Sequence, residues 1–485
     1  MINTIRNYSK VIIIIVCVAM VVTGAMMGYG FMGGGFSSGD IVQSANIAVV
    51  NGNNISQEHY YSILRNYVAG MEDIPRAQEV PLKLDVLNLV IERELIMEIA
   101  DDSNFRSQIS DEDVDEVIVE ILEENQMTED ELLNLLEMTN RTMTQFRTEI
   151  KRDLDQNNII EQVLEEKVFK NIVVSEEEII NSYEQIHPQL IVQRFADDKD
   201  HAEEKINDIN QELLDGVKFL DLAEEHSDMP NVDLGKISRD NNRLPADVTE
   251  LAFGLDKGLS EIIEGEDAFY IFNILEKRVA VGEDYEDSKE EIEKNIRREK
   301  EMLALSDWLE ELKSNSNIQI NDPVLSGFKA LQSGDINIAI EELETALERN
   351  PAAMTYVYLA EAYNADYQLD KAQEIYERAI EDYSFDWELH YQYAEFMMEL
   401  DNADKAISLL DRASELAGPN IMAQYQIYMG FAMMGAEEKA EAIMEKISDY
   451  QEQMQIQEEA IEDTSAIDEA IGEVEIGEIE FAPEN

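Results

Sequence analysis

The stretch "DLGKISRDNNRLPADVTELAFGL" (residues 233–255) decides how the middle of this chain folds. An Asp-Leu-Gly turn signal, a basic and polar run, a Leu-Pro step and an apolar-faced segment predict a short strand, a loop and a helix. Outward from it, residues 188–280 alternate strand and helix signals. "QLIVQRFAD" (189–197) reads as a strand, and "HAEEKINDINQELLDGVKFLDLAEEHSD" (201–228) as a helix stopped at Gly216 and then a second, shorter one. "KGLSEII" (257–263) starts a strand, and "AFYIFNILEKR" (268–278) is the last.

Toward the amino terminus, "ANIAVVNGNNISQEHYYSILRNYV" (45–68) is a small strand, an Asn-Gly turn and an amphipathic helix. "LKLDVLNLVIERELIMEIA" (82–100) places Leu84, Leu87, Val90, Ile91 and Leu95 on one helical face. Further helices start at Ser110 with Asp113, Thr128 with Glu131 and Ser175 with Glu178, three capping boxes or variants of one. Beyond the central region, residues 284–320 read as one long helix and a short extended piece. Ile292, Ile296, Met302, Leu303, Leu305 and Leu309 supply its apolar stripe.

From Pro323 the sequence repeats. Ala339, Ala372, Ala406 and Ala440 recur at spacings of 33, 34 and 34 residues. Four residues after each stands Leu343, Tyr376, Leu410 or Met444, and three further on Ala346, Ala379, Ala413 or Ile447. A small residue where helices touch, then a large one filling the next groove, is the packing pattern of tetratricopeptide repeats. Their superhelix has a concave face suited to a peptide or protein partner. Tyr356, Tyr391, Tyr393, Tyr425 and Tyr428 are candidates for that face or for packing between repeats. After Tyr450 the chain carries no Lys or Arg, and this acidic tail is expected to be disordered.

At the other end, Arg6 and Lys10 precede an uncharged run from Val11 to Phe36, long enough to cross a bilayer. An uncleaved anchor and a cleaved signal peptide both fit, and either sends the bulk of the chain outside the cytoplasm. "GGGFSSGD" (33–40) is a flexible tether.

The order "V-NG-x-x-I-S" (50–56), a helix, "I-x-R-x-L-I", then "V-S-x-E-E-I-x-x-x-Y" (174–183) resembles the amino-terminal module of SurA-, PrsA- and PpiD-type folding factors. That resemblance implies a chaperone module holding unfolded segments. Residues 188–281 resemble a parvulin domain (the PpiC type). Gly216, Phe219, Leu222, Ala223 and Ser227 match its first helical motif, Asp233–Gly235 its "DLG", and Gly258 with Ser260 its "G-x-x-S". The resemblance implies a peptidyl-prolyl isomerase groove with an apolar floor, matched by Leu244, Val248 and Phe253. Those three also fit plain core positions. It further implies a polar set of two histidines on adjacent central strands and a Cys or Asp in a loop.

Here the first histidine's strand offers Gln193, or Gln189 in a register slipped by four, with His187 before the strand. The loop position carries Met229 beside Asp228, and the second histidine's place falls on Tyr270. Gln193, Asp228 and Tyr270 are therefore the candidate catalytic set, and Leu244, Val248, Phe253 and Met229 the candidate substrate-binding set. Every polar position departs from the pattern, so isomerase activity is expected to be reduced or absent. An active isomerase and a repeat-based assembly scaffold are the alternatives.

Composition narrows the partners. In 485 residues, 105 acidic against 37 basic side chains give a formal charge of −68, which excludes a nucleic-acid-binding surface of ordinary kind. Such acidity suits high ionic strength. Cys17, the sole cysteine, lies in the apolar run, so no intramolecular disulfide forms. The five histidines lack zinc-ligand spacing; neither metal nor cofactor is expected.

The expected architecture is multidomain and mainly α. It comprises a transmembrane segment (1–36), a SurA-type helical module (45–183), an inserted α+β parvulin-like domain (188–281) and a helix returning to the module (284–320). A tetratricopeptide α-solenoid (323–450) and an acidic disordered tail (451–485) complete it. The expected partners are unfolded or nascent exported polypeptides, a ligand of the repeats and, through the first helix, the membrane.

Overall fold

The structure is a computed structural model describing residues 46–472, apart from 70, 72, 73, 140, 196, 197 and 240–242. In chain order it begins β1 (Asn46–Val50), β2 (Asn53–Ser56), α1 (Gln57–Val68), α2 (Arg76–Asp102), α3 (Asp111–Glu124), α4 (Glu129–Met138) and α5 (Met143–Leu164). Next come a π-helical turn (Glu165–Phe169), α6 (Glu176–Tyr183), β3 (Gln185–Arg194), α7 (Lys199–Leu214), α8 (Phe219–His226), β4 (Ile237–Ser238) and α9 (Ala246–Gly254). β5 (Gly258–Leu259), β6 (Ile263–Glu264), β7 (Ala268–Arg278), α10 (Glu283–Ser314) and β8 (Ile318–Ile320) follow. The repeats supply α11 (Pro323–Ser333), α12 (Ile336–Arg349), α13 (Ala353–Ala365), α14 (Leu369–Asp382), α15 (Trp387–Glu399), α16 (Ala403–Ala417), α17 (Ile421–Met433) and α18 (Glu437–Gly472).

Two compact units result. One joins residues 96–117 to 144–315; the other holds the described residues up to 95 with 118–143 and 316 onward.

In the second unit, Asn51 and Gly52 both take positive φ (49° and 95°), as a two-residue hairpin between β1 and β2 requires. β8 closes the other edge of β1, Ala48 opposite Ile320. The chain thus comes back to its first described strand after some 260 residues. Ser56 caps α1 through the His59 N–H at 3.2 Å. The apolar face read for α2 is buried at Leu84, Leu87, Val90, Ile91 and Leu95. Pro81, inside α2, has no N–H for the Ala77 carbonyl one turn earlier. The hydroxyl of Tyr358 from the repeats donates to that carbonyl at 3.4 Å.

The repeats pack as their period demands. Ala339, Ala372 and Ala406 are fully buried and Ala440 nearly so, with Leu343, Tyr376 and Leu410 filling the grooves. Met444 is 39% exposed, because no further described helix follows α18 to cover it. Gly327 of α11 has no room for a side chain, since a Cβ there would lie 2.6 Å from Leu343 Cγ. The acidic tail expected to be disordered from 451 instead continues α18 to Gly472. Its Glu, Gln, Ala and Met are good helix formers, and no proline interrupts them.

In the first unit, a five-stranded sheet runs β4-β3-β7-β5, with β6 also on β7. Strand β3 starts at Gln185, so the domain opens three residues before Pro188, and His187 lies inside the strand rather than ahead of it. α10 buries Leu305 against Ile96, Ala100, Ile160, Leu164 and Phe169, with Leu309 partly buried beside them. Ile292 and Ile296 pack on Ile179, Tyr183 and Tyr285. Met302 and Leu303, expected in the same stripe, are 50% and 67% exposed. At that level the inward position goes to Glu301, paired with Arg297 at 2.8 Å.

The anchor expected over residues 1–36 lies outside the described residues. Among the described residues, no helix is long and apolar enough to cross a membrane.

Candidate functional site

Strands β3 and β7 pair antiparallel with Gln189 opposite Asn273, Val192 opposite Tyr270 and Gln193 opposite Phe269. Alternate side chains leave a strand on opposite faces. One face carries Leu190, Val192, Tyr270 and Phe272 into a core with Leu244, Val248, Ala252 and Phe253. The other carries Ile191, Phe269 and Ile271 under α7 and α8.

That alternation separates the candidate catalytic set, with Tyr270 on the first face and Gln193, opposite Phe269, on the second. Gln193 is buried and donates to the carbonyls of Val192 and His226, tying the end of α8 to β3. Exposed Asp228 accepts the Arg194 N–H at 2.8 Å and gives its own N–H to the Val192 carbonyl at 2.9 Å. The buried Tyr270 hydroxyl donates to Asp267 at 3.2 Å. Burial, and then Asp267, push it up to about 12. Each of the three has a local structural task.

The apolar floor is likewise corrected. Leu244, Val248 and Phe253 are 7%, 1% and 3% exposed and fill the core of the first face instead of lining an open groove. Arg239 lies over the Phe253 ring at 4.6 Å, held by Glu184 and Glu250 at 2.9 Å each. Met229 packs on this core from its edge, half-buried.

What the fold does bring together is a polar row across β3, β7 and the segment that carries Asp233. The Asn273 amide donates to Gln189 Oε1 at 3.0 Å, Gln189 Nε2 donates to Asp233 Oδ2 at 2.9 Å, and His187 Nε2 meets Asp233 Oδ1 at 2.7 Å. Gln189 and Asp233 face each other across a β-bridge. A bulge between His187 and Pro188 sets the phase, a suitable place for a residue without an N–H. Gly235, at φ +62°, turns its N–H back to Asp233 Oδ1 at 3.0 Å. The Gln189 amide first, with help from Gly235 and His187, holds the Asp233 carboxyl down at about 2.

Sequence reasoning left Gln189 open as the slipped register and missed Asn273 and the role of Asp233. The signal was the strand phase beyond Pro188. The two carboxamides can orient a peptide group by donating and accepting, but carry no ionisable proton to transfer. Among the described residues no cluster of His, Cys, Asp and Glu is placed to hold a metal ion.

Asp233 also makes a pH prediction. Its folded pKa is depressed, so the unfolded chain binds more protons between about pH 4 and 2, and the stabilisation is present above that window and lost as pH falls through it. The side chain is 39% exposed, which screens the effect to about 1 kcal/mol. Urea denaturation is expected to show wild type ahead of Asp233→Asn by that amount at pH 6. The gap should close toward pH 2; a constant gap would count against the assignment.

Comparison with known proteins matches residues 1–160 to the SurA-like N-terminal domain and residues 363–425 to the tetratricopeptide repeat. The chain is 24% identical to Chaperone SurA of Chromohalobacter salexigens over 258 residues, which are 49% of this chain and 57% of that one. It is 27% identical to Chaperone SurA of Saccharophagus degradans over 269 residues, 50% and 60% of the two chains. With Foldase protein PrsA of Oceanobacillus iheyensis it shares 23% over 225 residues, 42% and 73%. The match thus spans 57% and 60% of the two SurA chains. The chain thus carries a match to the SurA-like N-terminal domain at residues 1–160 and to the tetratricopeptide repeat at 363–425, and is similar to SurA and PrsA chains over about half of its length.

Proposed function

We propose that this protein is an extracytoplasmic folding factor, held at the membrane by residues 11–36, that binds unfolded exported polypeptides. In this reading the SurA-like module holds clients, the parvulin-like domain has reduced or absent isomerase activity, and the repeats recruit a partner protein. The match of residues 1–160 to the SurA-like N-terminal domain carries the reading. The similarity to SurA and PrsA chains supports it.

The polar row supports weak turnover. X–Pro rotation faces a barrier of about 18–20 kcal/mol, and lowering it requires groups that favour the twisted amide over the planar one. Gln189 and Asn273 already satisfy each other, and buried Leu244, Val248 and Phe253 leave no open floor for a proline ring.

The test uses the chain from residue 40 onward at several salt concentrations. It is expected to delay aggregation of a chemically unfolded client at equimolar ratio, and to accelerate a proline-limited refolding step by less than about tenfold. No delay for any client would overturn the folding-factor reading. Strong acceleration, abolished by Gln189→Ala, would instead establish an active isomerase working through the amide row.

A further inference from the structure

The first helices of successive repeats start 34 residues apart, at Trp387 for α15 and Ile421 for α17. Both bury one side against their neighbours: Leu389, Tyr393, Ala394 and Met397 on α15, Ala423, Gln424, Ile427 and Phe431 on α17. The opposite side differs between the two repeats at equivalent positions. On α15 it carries Glu388, Tyr391, Glu395 and Glu399. On α17 the same positions are Met422, Tyr425, Met429 and Met433, exposed by 72%, 38%, 54% and 78%. Four large apolar side chains at i, i+3, i+7 and i+11 form a continuous stripe that no described element covers.

The neighbouring acidic stripe indicates what would lie there. Glu361 of α13, itself solvent-exposed at its outer side, lies near Glu395 and Glu399, and partial desolvation followed by these two carboxylates pushes it up to about 7. Glu399 accepts the Asn364 amide at 2.9 Å, and Glu395 accepts from the Tyr391 hydroxyl. Among the described ion pairs no Lys or Arg neutralises any of the three. At the start of α15 the chain meets the same need itself, placing Arg76 on Asp386 beside Glu388. Charge complementarity therefore calls for further cations along α15, and the thioether stripe on α17 for apolar side chains of variable shape.

We propose that this face of α15 and α17 docks an extended segment of a partner protein that presents basic side chains to α15 and apolar ones to α17. The inference rests on the partner-binding role proposed for the repeats and supplies the chemistry of the partner. Packed helices lie about 8–10 Å apart, so the basic and apolar groups would be separated by about three residues of extended chain.

The experiment titrates the purified chain from residue 40 onward into four fluorescein-labelled peptides. One has two arginines, a three-residue Gly/Ser spacer and two leucines. The others replace the arginines by glutamates, the arginines by serines, or the leucines by serines. The arginine–leucine peptide is expected to bind at least tenfold more tightly than each of the others at low salt. Glu395→Gln with Glu399→Gln should cost about tenfold at low salt and little at 1 M salt. Met429→Ala with Met433→Ala should cost about tenfold at both. If that pair lowers the melting temperature, Met433→Gln alone, at a 78% exposed position, carries the arm. Equal binding of all four peptides, no binding of the first, or an unchanged affinity in the glutamine pair would overturn the proposal. Aggregation protection measured on the same protein keeps the two readings apart. Discrimination without protection overturns only the folding-factor reading, and protection without discrimination overturns only this one.

Discussion

Phe272→Ala is expected to remove about 3–5 kcal/mol from the stability of the α+β domain built on β3 and β7, the range for truncating a buried aromatic. Phe272 is fully buried at the centre of β7, opposite Leu190, and stacks on Tyr270 with centroids 6.1 Å apart. Its N–H donates to Ser260 Oγ at 2.9 Å and its carbonyl accepts the Ser260 N–H at 2.8 Å, so the strand cannot move inward to refill the space. The cavity would open among Val248, Phe253 and Tyr270, in the core on the first face of the sheet. Hydrogen exchange read by mass spectrometry should show protection lost across β3 and β7 and kept in α12 to α16. A variant within about 1 kcal/mol of wild type would mean that this core is far looser than its burial indicates.

Gln424→Ala is the second large effect, expected at about 3 kcal/mol or more. The side chain is fully buried on α17. Its amide donates to the carbonyls of Ser414, at 2.9 Å, and Gly418, at 2.8 Å, while its oxygen accepts the Ser414 hydroxyl at 2.9 Å. Ser414 lies in the last turn of α16, where helix carbonyls have no partner of their own. Gln424 thus caps one helix from the next. Alanine would leave buried acceptors unmade, at about 1–3 kcal/mol each, and a void besides. Because repeats are stabilised chiefly by their neighbours, the loss should fall on α17 and α18, seen as early exchange there. Affinity for the arginine–leucine peptide should fall with it. An α17 as protected as in wild type would show that the hydrogen bonds contribute little.

Local chemistry was legible wherever the determinants sit within a few residues of each other. Thr128 with Glu131 and Ser175 with Glu178 form the reciprocal caps their spacing announced. The Asn51-Gly52 turn and the buried face of α2 follow from the same short range. The repeat alanines were legible because a 34-residue period records a contact made several times over. Tyr356 and Tyr393, candidates for exposure, are buried, whereas Tyr425 is 38% exposed. A tyrosine fits either side of a helix pair, and only the packed neighbours choose.

The chain's own order of residues was enough to determine the kind of elements, their caps, the repeat period and the likeness to SurA- and PrsA-type folding factors. Each of these depends on side chains a helical turn or one repeat apart. Which polar groups meet across β3 and β7 was decided only in three dimensions. Gln189 and Asn273 are 84 residues apart, and only the antiparallel register of β3 and β7 sets them opposite each other on one face. The same holds for Leu244, Val248 and Phe253, which an apolar groove and a closed core would use equally well until the sheet and α9 come together.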